Sequence, residues 1–203
     1  MPIRGVVFDI GGVLEYTPET GWIDKWNKRL TLKPIEIFER LDGMGLNGST
    51  GPCTETEWLA GFAEVSGMTQ DQIDEFMNDL WTEYVGHPNV ELIAYFRDLR
   101  PRFQTAILSN SFVGAREREQ ALYGFEDMTD FIVYSHEVGM IKPDRRIYEL
   151  TCDRLKLTPA EVIFVDDHIE CVDGARAIGM YGVLFENNEQ TIAELDHYLN
   201  LPA

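Results

Sequence analysis

Five side chains in this sequence could do chemistry, and each stands at or shortly beyond the carboxyl end of an apolar, strand-like run: Asp9, Ser109, Lys142, Asp166 and Asp167. In open parallel sheets such ends converge on one crevice. Three carboxylates brought together there raise one another's pKa unless a counter-charge is supplied. A hard divalent cation supplies it, and an all-oxygen ligand set suits Mg²⁺. Ser109 can donate to an anionic oxygen, and Lys142 adds a point charge to hold it. Asp9 is left as a nucleophile, a carboxylate role familiar from aspartyl-phosphate chemistry. Phosphoryl transfer asks for little beyond in-line positioning and charge neutralisation. Taken singly, each residue has an ordinary role: Ser109 as a strand-end turn, Lys142 as a solvated lysine, Asp166-Asp167 as a helix cap. Their conjunction in order, each at a strand end, favours the chemical role.

The elements that must position them are legible. Strand-like runs occupy Ile3–Asp9, Phe103–Leu108, Phe131–Ser135, Val162–Asp166 and Gly182–Phe185, with helical stretches near Gly114–Tyr123, Asp144–Leu155, Val172–Ile178 and Gln190–Leu199. Alternation at this spacing predicts an α/β fold, a Rossmann-like parallel sheet with helices on both faces. Residues 15–86 differ, because they contain no convincing strand. Ile73, Phe76, Met77, Leu80, Trp81 and Tyr84 form one helical stripe, and capping boxes begin at Thr54 and Thr69. Trp22, Ile23, Trp26 and Leu30 suggest a further helix, and Ile35 to Leu41 a short one. The expected organisation is therefore a core of residues 1–14 and 87–203 with an all-helical insert at 15–86 after the first strand.

A length of 203 residues suits one core domain with an insertion, and 44% apolar with 26% charged residues is ordinary for a globular protein. The net charge of -18 argues against nucleic acid as a partner. No run approaches the length of a membrane span, and the N-terminal run lacks the basic leader of a signal peptide, so the cytoplasm is the expected location. Cys53, Cys152 and Cys171 are widely spaced and odd in number, which indicates neither a disulfide framework nor a zinc cluster. Oligomeric state is not legible.

The segments Phe8-Asp9-Ile10-Gly11-Gly12-Val13-Leu14, Ile107-Leu108-Ser109-Asn110, Gly139-Met140-Ile141-Lys142-Pro143-Asp144 and Phe164-Val165-Asp166-Asp167 resemble, in order, the four motifs of the haloacid dehalogenase-like hydrolase superfamily. The insert is similar to the helical C1-type cap of its sugar-phosphate phosphatases and of the amino-terminal domain of soluble epoxide hydrolases. The resemblance implies Asp9 as the nucleophile. It implies a Mg²⁺ site formed by the Asp9 carboxylate, the Gly11 carbonyl and Asp166, with Asp167 as ligand or support. Ser109 and Lys142 would grip the phosphoryl oxygens, Asn110 would line the pocket, and Glu15 joins the substrate-binding set.

Gly11 departs from the pattern, since phosphatases of the superfamily usually carry there an Asp that protonates the leaving group. A positioned acid or base is worth about 10²–10⁴ in rate. Glu15 and His136 are the candidates to replace it. Cys171 stands where many relatives have Asn, with a minor effect expected. Glu15, Tyr16, Trp22 and Trp26 could face the pocket, but packing within the insert is favoured. The leading expectation is a Mg²⁺-dependent phosphatase of a small phosphorylated metabolite. The alternatives are a catalytically weak binding or regulatory protein of the same fold and, less favoured, a metal-independent 2-haloacid dehalogenase.

Overall fold

The structure, a computed structural model, describes residues 2–199. From the N-terminus, β1 (Gly5–Phe8) leads into β2 (Glu15–Tyr16), then four helices: α1 (Trp22–Arg29), α2 (Pro34–Gly43), α3 (Glu55–Ser66) and α4 (Gln70–Val85). Next come β3 (His87–Pro88), α5 (Val90–Leu99), β4 (Gln104–Ser109), α6 (Ala115–Tyr123), α7 (Phe125–Met128) and β5 (Phe131–Tyr134). The chain ends with α8 (Ser135–Val138), α9 (Arg145–Leu155), β6 (Val162–Asp166), α10 (Ile169–Ala177), β7 (Tyr181–Leu184) and α11 (Asn188–Leu199).

Five strands form one parallel sheet in the order β5-β4-β1-β6-β7. Successive side chains on a strand point to opposite faces, and the core divides accordingly. Val6 and Phe8 pack with Ile107, Ile163, Leu92, Phe96 and Leu195 on one face. Val7 packs with Ala106, Leu108, Phe164, Ile147 and Ala175 on the other. Both faces are covered by helices, which is why the strands read as continuous apolar runs. The chain leaves β1 toward β4 on one side and later returns to β6 on the other, so the carboxyl end of β1 is the topological switch point where a crevice opens.

Helices α1–α4 enclose a separate apolar cluster built on Trp26, Trp58, Phe62 and Phe76. The capping boxes at Thr54 and Thr69 form as expected, each hydroxyl accepting from the backbone N–H three residues on. One expectation needs correcting: residues 15–86 are not free of strand. Glu15 and Tyr16 pair antiparallel with Pro88 and His87, a two-residue ribbon at the root of the helical segment. A ribbon that short carries no readable alternation. Helix α5, with Leu92, Phe96 and Leu99 buried, is a further addition, as are the four-residue α7 and α8.

Candidate active site

Three neighbouring strands deliver the chemistry. Asp9 follows β1, Ser109 ends β4 with Asn110 next, and Asp166 ends β6 with Asp167 next. Lys142 arrives from the loop after α8. Its Nζ lies 2.7 Å from Asp9 Oδ1 and 2.7 Å from Asp166 Oδ2, with the lysine side chain 1% exposed. The stem runs beside Phe164, whose ring centre is 5.4 Å from the ammonium. Burial opposes the lysine's charge, but the two carboxylates outweigh it and its pKa rises.

Asn110 fixes that lysine from behind. Lys142 N–H donates to Asn110 Oδ1 at 2.8 Å, and Asn110 Nδ2 donates to the Lys142 carbonyl at 3.1 Å. The Asn110 side chain is thus a positioning group rather than one aimed at a ligand. Asp166 is equally constrained, with Oδ2 on Lys142 and Oδ1 accepting from the His168 N–H at 2.8 Å. It thus braces the turn that leads into α10 as well as pairing with the lysine.

Carboxylate oxygens of Asp9, Asp166 and Asp167 lie within 4.8 Å of one another. One ammonium against three carboxylates leaves the cluster short of positive charge. Burial first, then Asp166, push the Asp9 pKa up against the pull of Lys142, and burial also raises Asp167. Asp167 Oδ1 is buried with no hydrogen-bond partner among the described residues. An all-oxygen set, excess negative charge and an orphaned carboxylate oxygen fit a hard divalent cation. The Gly-Gly turn makes room for this. Gly12 has φ +74°, and a Cβ there would lie 2.2 Å from Asp167 Oδ2.

Asp9, Gly11, Tyr16, Lys142 and Asp167 line a cavity of about 550 Å³. Cys171 also lines it, and burial pushes its thiol up to about 12, which keeps it protonated. A smaller space of about 130 Å³ adjoins it, lined by Gly11, Glu15, Tyr84, Ser109, Asn110 and Glu119. Gly11, Thr17 and Asn110 belong to both.

Glu15 is 1% exposed, its Oε2 accepting from Thr17 Oγ1 at 3.1 Å and its Oε1 unpartnered among the described residues. A Cβ on Gly11 would come 3.7 Å from Glu15 Oε2, so this carboxyl borders the volume a side chain at position 11 would fill. Gly86 closes over it, since a Cβ there would lie 2.0 Å from Glu15 Oε1. Burial, opposed by the Thr17 hydrogen bond and aided by Glu119 and Asp9, pushes Glu15 up to about 8. Glu119 shares the space, is 2% exposed, accepts from Tyr134 Oη at 2.6 Å, and is pushed by burial to about 7.

Sequence reasoning missed Glu119 because Arg-Glu-Arg-Glu-Gln reads as a solvated helix face. It also favoured packing for four residues of which three line cavities: Glu15, Tyr16 and Trp22. Trp26 alone is core. His136 has its Nδ1 2.7 Å from Ser111 Oγ and lines neither space beside Asp9.

A folded-state pKa near 8, against 4.5 ordinarily, gives a signed prediction for Glu15. Between these values the folded chain holds a proton that the unfolded chain has lost. Stability therefore falls as pH rises through this window, by up to about 1.4 kcal/mol per unit. Urea unfolding at pH 5 and pH 8 should show this fall in the wild type and a smaller one in Glu15→Gln. Parallel profiles would contradict it.

Residues 3–179 match the family model described as haloacid dehalogenase-like hydrolase. A sesquiterpene phosphatase of Aspergillus oryzae is 41% identical over 95% of this chain and 94% of its own. A bifunctional epoxide hydrolase of Sus scrofa is 28% identical over 97% of this chain, which spans 39% of that relative's length. A solved HAD family enzyme of Bacteroides thetaiotaomicron, in complex with magnesium and inorganic phosphate, shares the fold with TM-score 0.75 at 22% identity, over 94% of this chain and 98% of that one.

Proposed function

The chain belongs to the haloacid dehalogenase-like hydrolase family, and from that premise we propose a Mg²⁺-dependent phosphatase of small phosphorylated metabolites that works through an aspartyl-phosphate on Asp9. The observation that carries this reading is the Lys142 ammonium held between Asp9 and Asp166, with Asp167 beside them, at the switch point of the sheet. Asp9, Asp166, Asp167 and the Gly11 carbonyl would hold the cation. When bound, it supplies charge that draws phosphoryl oxygens toward the nucleophile.

Each residue then has a task. Lys142 fixes one Asp9 oxygen, leaving the other to attack phosphorus in line, and Ser109 donates to a phosphoryl oxygen. The bond from phosphorus to the ester oxygen breaks, and that oxygen needs a proton. Glu15, protonated at neutral pH and bordering the place where position 11 lacks a side chain, donates it. The resulting Glu15 carboxylate takes the proton of the water that hydrolyses the aspartyl-phosphate. Residues 15–86 act as a cap that excludes bulk water and selects the substrate.

A panel of phosphorylated metabolites, including a terpenyl phosphate in view of the Aspergillus oryzae relative, tests the activity. Turnover should vanish in EDTA and return with Mg²⁺. Dehalogenation of 2-chloropropionate that survives chelation would favour the haloacid reaction instead. For the acid, Glu15→Gln should lower kcat/KM on alkyl phosphates by about 10²–10⁴ and much less on acyl phosphates, whose leaving groups need no proton. An equal loss on both classes would remove Glu15 from that role.

A further inference from the structure

The helical segment and the loops beyond the carboxyl end of β4 border a third space, of about 350 Å³, that the chemistry at Asp9 does not use. Trp22, Phe38, Trp58, Leu80 and Phe112 form its walls. Aromatic side chains inside a helical core normally interlock and leave no void larger than a water molecule. Here Trp58 stacks on Phe62 at 5.0 Å and meets Phe112 edge-on at 4.9 Å, yet the space before these rings stays open. An apolar cavity of this size with a few polar groups at its rim is the usual form of a small-molecule site.

Two observations say what enters it. The first is continuity: Asn110 lines this space, the Asp9 cavity and the Glu15 cavity alike, and Tyr84 lines this one and the Glu15 cavity. The walls are also the chain neighbours of the phosphate grip. Ser111 and Phe112 follow Asn110, and Ile141 precedes Lys142. The second is charge. No lysine or arginine is among the described residues that line the space, and its one carboxylate is that of the exposed Asp42. A second phosphate or a carboxylate lodged here would lack a cation to pair with.

We propose that this space is the subsite for the hydrocarbon tail of the substrate, which rests on the phosphatase reading and narrows it to phosphate monoesters of aliphatic alcohols. At about 30 Å³ for each water-sized group, the cavity holds a tail of about ten carbons. The phosphate sits on Ser109 and Lys142, the ester oxygen passes Asn110, and the tail lies against Phe38, Trp58 and Phe112.

The test is kcat/KM for n-alkyl phosphates from methyl to dodecyl, with geranyl phosphate as a branched arm. Burying each methylene should raise it about fourfold until the cavity is full, and then it should level off. Phe38→Glu places a carboxylate in the wall, and should lower the decyl-to-methyl ratio at least about tenfold, since a buried charge disfavours an apolar neighbour. Ser49→Phe fills the space from a half-buried loop, and should shift the optimum to shorter chains. Binding of 1-decanol, which has no phosphate, is read separately from tryptophan emission, since Trp22 and Trp58 face the space.

A flat chain-length profile in an active phosphatase overturns the tail subsite alone. Saturable decanol binding without hydrolysis of any ester overturns the phosphatase reading and the substrate assignment, leaving an apolar ligand cavity.

Discussion

Lys142→Met should destabilise the protein, by up to the about 3–5 kcal/mol usual when one partner of a buried ion pair is removed, and the loss should be about 1 kcal/mol larger at pH 8 than at pH 5. The ammonium stands 2.7 Å from both Asp9 and Asp166, and the side chains of all three are at most 9% exposed. Methionine keeps most of the stem beside Phe164, so the charge is removed with little lost volume. Asp9 is already raised by burial and by Asp166, with Lys142 pulling it down. Without that pull, the folded state holds its proton to higher pH than the unfolded chain does. The mutant therefore goes on losing stability above about pH 7, where the wild-type Asp9 contribution has levelled off. Urea midpoints at the two pH values measure this, and a loss equal at both would contradict it. Turnover should fall by about 10²–10³, the usual effect of removing one donor to a developing charge.

Asp9→Asn is expected to have the larger kinetic effect and the opposite effect on stability. An amide of the same shape can still accept from Lys142 but cannot attack phosphorus, so turnover should drop by about 10⁴ or more. The ionised carboxylate is disfavoured where it stands, as its raised pKa indicates. Relieving it should make Asp9→Asn more stable than the wild type at pH 8, with the difference shrinking toward pH 4 as wild-type Asp9 takes up its proton. Sites that hold like charges together for chemistry commonly trade stability in this way. Thermal melts across that range, run beside kcat, separate this pattern from simple misfolding, which would lower both.

Strand ends were the most legible part of the site. Asp9, Ser109 and Asp166 each close a run of apolar residues, and parallel strands buried on both faces make such runs visible. Thr54 and Thr69 announced their helices for an equally local reason. Side chains whose meaning depends on distant chain were not legible. Glu119 became a buried acid only because α6 packs it under Tyr134 Oη. Glu15 was named as a replacement for the acid missing at Gly11, but the two-residue ribbon and the close passage of Gly86 that bring it there were not readable. Asn110 lines the cavities, as its place after Ser109 suggested, but its pairing with both backbone groups of Lys142 left no sequence signal. Trp22 and Trp26 share one helix face in the sequence, yet one borders an open space and the other is core.

The most direct test of the central claim is to quench the protein during turnover of radiolabelled acetyl phosphate with Mg²⁺ and to map the label. The expected result is a hydroxylamine-labile phosphate on the peptide that carries Asp9, absent in EDTA and absent from Asp9→Asn. Label on any other residue, or Asp9→Asn turning over at the wild-type rate, would contradict it.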